Sequence, residues 1–268
     1  MIIQEIRNTL SKKLLIFLIF FSILPYSIFF IQKNSYAFVN ELDTFSFMFD
    51  GIIVIIFIFA IPFIYLGYFS TTLSNRFIVY QRVRMPLKDI LVRSILTNIL
   101  LTFFVFFTFV LHIFIFCFYI QPQLGLVQFY PEIHYLESTK EILQFDTKRY
   151  TFTQLLAYSP LIYGVFYSFW VGIMASLYST LGFFSILSFK NKLIGISVPI
   201  LVYIIGSFLS NLFEVLEPFG PVNAIFPFNS SQQQISIALL NLLFYSAINI
   251  CLYIYFLKIK FHKLDNTL

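Results

Sequence analysis

Residues 51–93, GIIVIIFIFAIPFIYLGYFSTTLSNRFIVYQRVRMPLKDILVR, change character in mid-course. The opening run from Gly51 to Phe69 carries no charge and, as a helix rising about 1.5 Å per residue, nearly matches the roughly 30 Å of a bilayer's hydrocarbon core. The closing part, from Asn75 to Arg93, gathers Arg76, Arg82, Arg84, Lys88 and Arg93 against one acid, Asp89, in a chain of which only 11% is charged. The apolar run decides the fold class. Lipid offers backbone groups no partner, so a spanning segment must be a helix or part of a closed barrel, and continuous rather than alternating apolarity excludes barrel strands.

The rest of the 268 residues repeats the first half of this pattern: 59% are hydrophobic and the mean hydropathy is +0.88. The sequence therefore predicts an all-α, polytopic membrane protein with a single domain over residues 1–268. Six transmembrane helices are expected at about Leu14 to Ile31, Gly51 to Phe69, Ser94 to Ile120, Pro160 to Phe189, Leu193 to Phe213 and Ile235 to Leu257. A signal peptide is the competing reading of the first run, but that run is long and no small-residue cleavage site follows it, so it is expected to stay as a span. Cys117 and Cys251 lie inside apolar runs without metal-ligand spacing, the signature of packing thiols.

Charge orients the spans. One set of connecting segments holds thirteen of the seventeen Lys and Arg residues and only Glu5, Asp89 and Asp265 among the acids, whereas the alternate set holds the other nine acids. Positive loops stay inside, which places both termini and the basic stretch in the cytoplasm. That rule explains the sign of residues 75–93 but not their length. Roughly 24 residues separate Phe69 from Ser94, with helix-like apolar positions at Phe77, Val79, Val83, Met85 and Leu87. Pro86 is expected in the first turn of a new helix running into the third span. The stretch thus reads as a short cytoplasmic helix, a turn and a basic helical start.

Three further segments stand out. MIIQEIRNTLSKK places Ile2, Ile3, Ile6 and Leu10 on one helical face with Glu5, Arg7, Asn8 and Lys12 around the other, the pattern of an amphipathic helix in the membrane interface. Within the outer loop 121–159, YLESTKEILQFDTKRY has the spacing of an exposed amphipathic helix. Between the fifth and sixth spans, EVLEPFGPVNAIFPFNSSQQQ sets Pro218, Pro221 and Pro227 among apolar residues, which predicts short re-entrant helices that need internal hydrogen-bond partners.

Catalytic chemistry is missing from the pattern. There are no paired carboxylates, no H-E-x-x-H, and no phosphate-cradling G-x-x-x-x-G-K-[ST], so neither a catalytic nor a metal site is assigned. His112, inside the third span, is expected to be neutral and hydrogen-bonded to a neighbouring helix; an intramembrane enzyme is the sharper reading of the same residue. In the fourth span Gly164, Ser168, Gly172, Ser176 and Thr180 recur every four residues, a ridge that lets another helix approach, with a substrate path as the alternative. Trp170 lies too deep to be an interfacial anchor. Tyr65, Tyr68 and Thr72 share a face of the second span, and Tyr203, Ser207 and Asn211, with Ser210, lie near one face of the fifth; these surfaces either line a cargo path or bond within the bundle.

This layout resembles the permease subunits of type-two ABC exporters. The stretch SNRFIVYQRVRMPLKDILVR is similar to the family's coupling segment between spans two and three: Pro86, Lys88 and Arg93 match in kind, while Asn75 and Val79 stand where the family often has glutamate and glycine. The resemblance implies that two permeases, identical or related, pair in a bacterial cell membrane with two cytoplasmic ABC ATPase subunits carrying ATP and Mg, no cofactor residing on this chain. It implies ATPase coupling through Arg76, Tyr80, Gln81, Arg82, Arg84, Pro86 and Lys88, and an interface helix presenting Ile3, Ile6, Arg7 and Leu10. Family members move peptides, drugs, lipids and polysaccharides, and an aromatic-rich interior without fixed charges leans toward a hydrophobic or amphipathic cargo, antimicrobial or toxic peptides first and small drugs next. The cargo surface would be the faces of Tyr65, Tyr68 and Thr72 and of Tyr203, Ser207 and Asn211. No nucleic-acid partner is expected. From another class, a stand-alone immunity or assembly factor would bind a partner without driving transport.

Overall fold

Side-chain caps at Ser11, Ser159 and Asn191 start three of the six long apolar helices. The computed structural model describes residues 2–75, 80, 83–189, 191–213, 215–227, 232–256 and 258. A short helix α1 (Ile2–Thr9) precedes α2 (Lys12–Gln32), whose N-cap Ser11 accepts a hydrogen bond from the Leu14 N–H. Then follow α3 (Glu41–Phe47), capped by Asn40, α4 (Ile52–Ser74) and α5 (Leu87–Ile115), which runs on through a π-helical turn at Phe116–Ile120 and a last turn at Gln121–Leu124. A surface helix α6 (Thr139–Thr147) leads to α7 (Pro160–Ser188), α8 (Lys192–Asn211), a five-residue α9 (Pro221–Ile225) and α10 (Ile235–Tyr255).

Six of these helices are long and apolar enough to cross a membrane, at the places where hydropathy predicts them. The connection between the second and third is the main difference. Helix α4 continues past Phe69 to Ser74 and α5 starts at Leu87 with Pro86 as its N-cap, so the linker is residues 75–86. Hydropathy marks where lipid ends; backbone hydrogen bonding continues beyond it, and Thr71 and Thr72 donate to the Gly67 and Tyr68 carbonyls one turn back. Residues 76–79, 81 and 82, on which most of the expected short helix falls, lie outside the described residues.

Helix α7 occupies the centre and touches α4, α5, α8, α9 and α10. Its buried side chains, among them Tyr163, Tyr167, Val171, Met174 and Phe183, form the middle of the core. The small-residue ridge is the seam with α5. A Cβ on Gly164 would fall 2.2 Å from the Phe114 ring, and one on Gly172 3.0 Å from the Phe103 ring. Along the same seam Ser176 Oγ donates to the Ile99 carbonyl at 3.1 Å, and Ser179 Oγ donates to Asn98 Oδ1 at 2.6 Å. Such interhelical bonds contribute about 0.6–2 kcal/mol each in a membrane bundle. At the turn into α8, a Cβ on Gly195 would meet Ile186 Cα at 2.6 Å, so these two helices join as closely as backbones allow.

The broken segment before α10 is held from three sides. Trp170 Nε1 donates to the Ala224 carbonyl at 2.9 Å, Asn241 Nδ2 to the Pro218 carbonyl at 2.8 Å, and the Val222 N–H to Ser207 Oγ at 3.1 Å. This accounts for a tryptophan too deep to be an anchor. His112 Nδ1 lies 2.9 Å from the Thr108 carbonyl of its own helix, one turn back, and the ring also interacts with the Ser22 backbone of α2, whose Tyr26 reaches the His112 carbonyl.

Packing at the seam is directly measurable. Gly164→Ala should lower stability by about 1–3 kcal/mol, the usual cost of overpacking, because the Phe114 ring is walled in by Phe45, Phe118 and Tyr163. Gly67→Ala, with nothing within 4 Å of the new methyl, should be neutral or stabilising by up to ~1 kcal/mol. Thermal unfolding in detergent compares the two, and equal losses would mean the seam is loosely packed.

Candidate functional site at the basic end

The basic ends of α1, α4 and α5 meet around one carboxylate. Glu5 Oε1 accepts from Tyr65 Oη of α4 at 2.6 Å and from Ser94 Oγ of α5 at 2.9 Å, and Glu5 Oε2 accepts from Arg93 Nε at 2.8 Å. The two charged side chains are only 16% and 11% exposed, so water screens this ion pair weakly. Helix α1 therefore turns its acidic residue inward. Ile3 is exposed, Ile6 and Leu10 pack against the core, and Arg7 points to the outside. The amphipathic pattern does not reveal this orientation, because the partners of Glu5 lie some 60 and 88 positions along the chain. The one available signal was a lone acid in α1, whose other residues are apolar, neutral polar or basic.

Beside this anchor lies a half-open cleft of about 270 Å³, lined by residues of all three helices and by Arg84 and Met85 at the end of the linker. Of the residues expected to couple to a partner, Arg84 lines the cleft, Pro86 caps α5, Lys88 is exposed in its first turn, and Tyr80 is helical and 72% exposed. Arg76, Gln81 and Arg82 lie outside the described residues. The residues expected on a cargo path divide. Tyr68 and Thr72 line the cleft, and Asn211 is exposed at the other end of the molecule. Tyr65 is fully buried on Glu5, Tyr203 is buried beside Tyr178, and Ser207 is buried under α9.

A second polar cluster caps the opposite end. Ser138 and Glu141 close both halves of a capping box that starts α6, and the backbone N–H groups of Glu137 and Ser138 hold the Glu141 carboxyl below its usual range. Asn40 Nδ2 donates to both oxygens of Asp146, at 2.8 and 2.7 Å, while Arg149 pairs with Asp43 and lies over the rings of Phe145 and Tyr150. Gln232 Nε2 donates to the Thr147 carbonyl at 2.7 Å, drawing in the segment before α10. Burial pushes the Asp146 carboxyl up to about 6, helped by Asp43 and Glu41 and opposed by the Asn40 amide and Arg149. Sequence spacing carries no sign of this staple, whose partners are 106 residues apart.

Among the described residues no group of three or more His, Cys, Asp or Glu is placed to hold a metal ion. Both clusters are mechanical ties: the first holds α1 to the ends of α4 and α5, and the second holds α6 and the turn after it to the short helix α3 and its Asn40 cap. No known family, curated protein or solved structure matches the chain.

Glu5→Ala should free α1 and cost on the order of 2 kcal/mol, less than a fully buried pair because the site keeps some water, and Tyr65→Phe about 1 kcal/mol. Hydrogen exchange at residues 5–9 reads the opening; unchanged protection in Glu5→Ala would show that α1 is held by its apolar contacts alone. For Asp146 the folded value lies above the free one, so its contribution is full below about pH 4 and is lost as pH rises through about 6. Opening of α6 should increase about tenfold from pH 5 to pH 7.5, read as exchange protection factors at Ile142 and Phe145. Asp146→Asn should remove that dependence, and a persistent slope would assign it to another group.

Proposed function

We propose that this chain is the membrane-spanning subunit of an ATP-driven exporter of the ABC type, multi-pass in a bacterial cell membrane with both termini cytoplasmic. In this reading α1 lies in the membrane interface, the linker 75–86 docks on a separate ATPase subunit that carries ATP and Mg, and two permease copies or relatives enclose the path of a hydrophobic or amphipathic peptide or drug. One observation supports it above the rest. Helices α4 and α5 extend without a break to a short basic linker, and Glu5 ties α1 to the base of both, so force applied at the linker moves three helices together. A chain with no nucleotide-binding motif then has a means of receiving work done elsewhere, as a shift between discrete packings.

A stand-alone immunity or assembly factor is the second reading. It is favoured by the burial of Tyr65, Tyr203 and Ser207 within the packing and by the ordered polar cap, which offers a surface for a partner. The first reading expects the chain to copurify with an ATPase carrying a Walker motif and expects the double charge reversal Arg82→Glu with Arg84→Glu to abolish transport while membrane insertion stays normal. Full transport by that variant rejects the coupling role, and a normal phenotype in cells lacking every such ATPase establishes the second reading.

A further inference from the structure

We propose that the cleft between α1, α4 and α5 binds one phosphate group, presented by the headgroup of an anionic phospholipid. The walls are right for it chemically. Two guanidiniums, Arg84 and Arg93, face one carboxylate, Glu5, whose oxygens are already engaged by Tyr65, Arg93 and Ser94. The cleft therefore carries a surplus positive charge, delivered by Arg84 at its rim. Arg93 Nη1 lies 3.5 Å from Met85 Sδ, a weak acceptor that a phosphate oxygen replaces with a charge-assisted bond. The side chains of Asn8 and Tyr68 add neutral donors to the same wall.

Depth and size point to a headgroup. Lys13 and Arg93 are the last charged residues before the apolar runs of α2 and α5, so the cleft lies where hydrocarbon gives way to headgroups. Basic pockets between membrane helices at that level are the sites that take anionic lipids. A volume of about 270 Å³ is below the roughly 300–1,000 Å³ of pockets for drug-sized ligands; it holds a phosphodiester with its glycerol, and Phe69 and Ile90 supply an apolar wall for the first methylenes. Such a lipid would close the gap between Arg84 and α1 and fix the linker's end to the membrane. The site does not depend on the exporter reading, since binding is measured without an ATPase.

The test uses the full chain, purified and delipidated in neutral detergent, titrated with dioleoylphosphatidylglycerol, with dioleoylphosphatidylcholine or with inorganic phosphate, and read by native mass spectrometry and thermal unfolding. One phosphatidylglycerol should be retained per chain and should raise the melting temperature. Arg84→Gln should weaken retention about fivefold and Arg84→Glu on the order of twenty-five-fold, following ~1 kcal/mol per basic charge at an anionic surface. Arg84 is exposed, so both variants fold; Lys88→Gln, exposed and outside the cleft, should retain lipid within about twofold. Equal retention of phosphatidylcholine, or Arg84→Glu binding like the parent protein, overturns the site. Stabilisation by inorganic phosphate as strong as by phosphatidylglycerol keeps the anion site and overturns its lipid source.

Discussion

The close approach of α7 to α5 is the contact on which the rest of the bundle depends. With Gly164 against the Phe114 ring and Gly172 against Phe103, the central helix sits near enough for Ser176 and Ser179 to bond across to α5. Lipid tails are as apolar as leucine, so burying apolar side chains does little to hold membrane helices together. Shape and hydrogen bonds must do it. A larger residue at either glycine would push α7 outward and withdraw the neighbours of α4, α8 and α10 with it, because α7 is the helix they all touch.

At its two ends the bundle uses a different means. Polar groups near the membrane boundary that are shut off from water need partners, and a charged side chain mostly buried there is costly unless it is paired. Glu5 with Arg93, and Asp43 with Arg149, are such pairs: the first joins α1 to the start of α5, and the second joins the turn after α6 to the short helix α3. The two ends are not equivalent. The Glu5 pair gathers three helix ends into one unit beside an open cleft, whereas the Asp43 and Asp146 contacts fold a loop over the top of the spans.

The spans, the restart at Pro86, the helix within 135–150 and the broken segment with its prolines were all legible from periodicity, caps and prolines, since each is fixed by neighbours in sequence. The ridge from Gly164 to Thr180 told correctly that a helix packs there, though not which one. Glu5 was legible as one edge of an amphipathic helix but not as an inward-facing anchor, because hydropathy assigns faces relative to water and lipid and not relative to Arg93. The length of the linker was overestimated for a related reason: polar residues from Thr71 to Ser74 leave the hydrocarbon without leaving the helix. Tyr65 and Ser207 carry hydroxyls that look available on a helical wheel, yet each is taken by a partner far along the chain.

Helix α5 connects the two polar ends and sets how they can influence each other. Its helical run of 38 residues, Leu87–Leu124, spans about 57 Å at 1.5 Å per residue, longer than the whole bilayer with its headgroups. One end begins beside Arg84 and bonds Glu5 through Arg93 and Ser94; the other ends beneath the cap, where Lys33 reaches the Leu126 carbonyl. The lower part is continuous α-helix and is packed along α7, so a displacement at Leu87 is transmitted rather than absorbed there. The first irregularity is the π-helical turn at Phe116–Ile120, which contains Cys117, buried against Met48 at the C-terminal end of α3. Turns of this kind are rare and occur mostly as single-turn bulges inside α-helices. Helix α5 is thus regular from the Glu5 anchor at one end to that turn, and departs from α-helical geometry only beneath the polar cap.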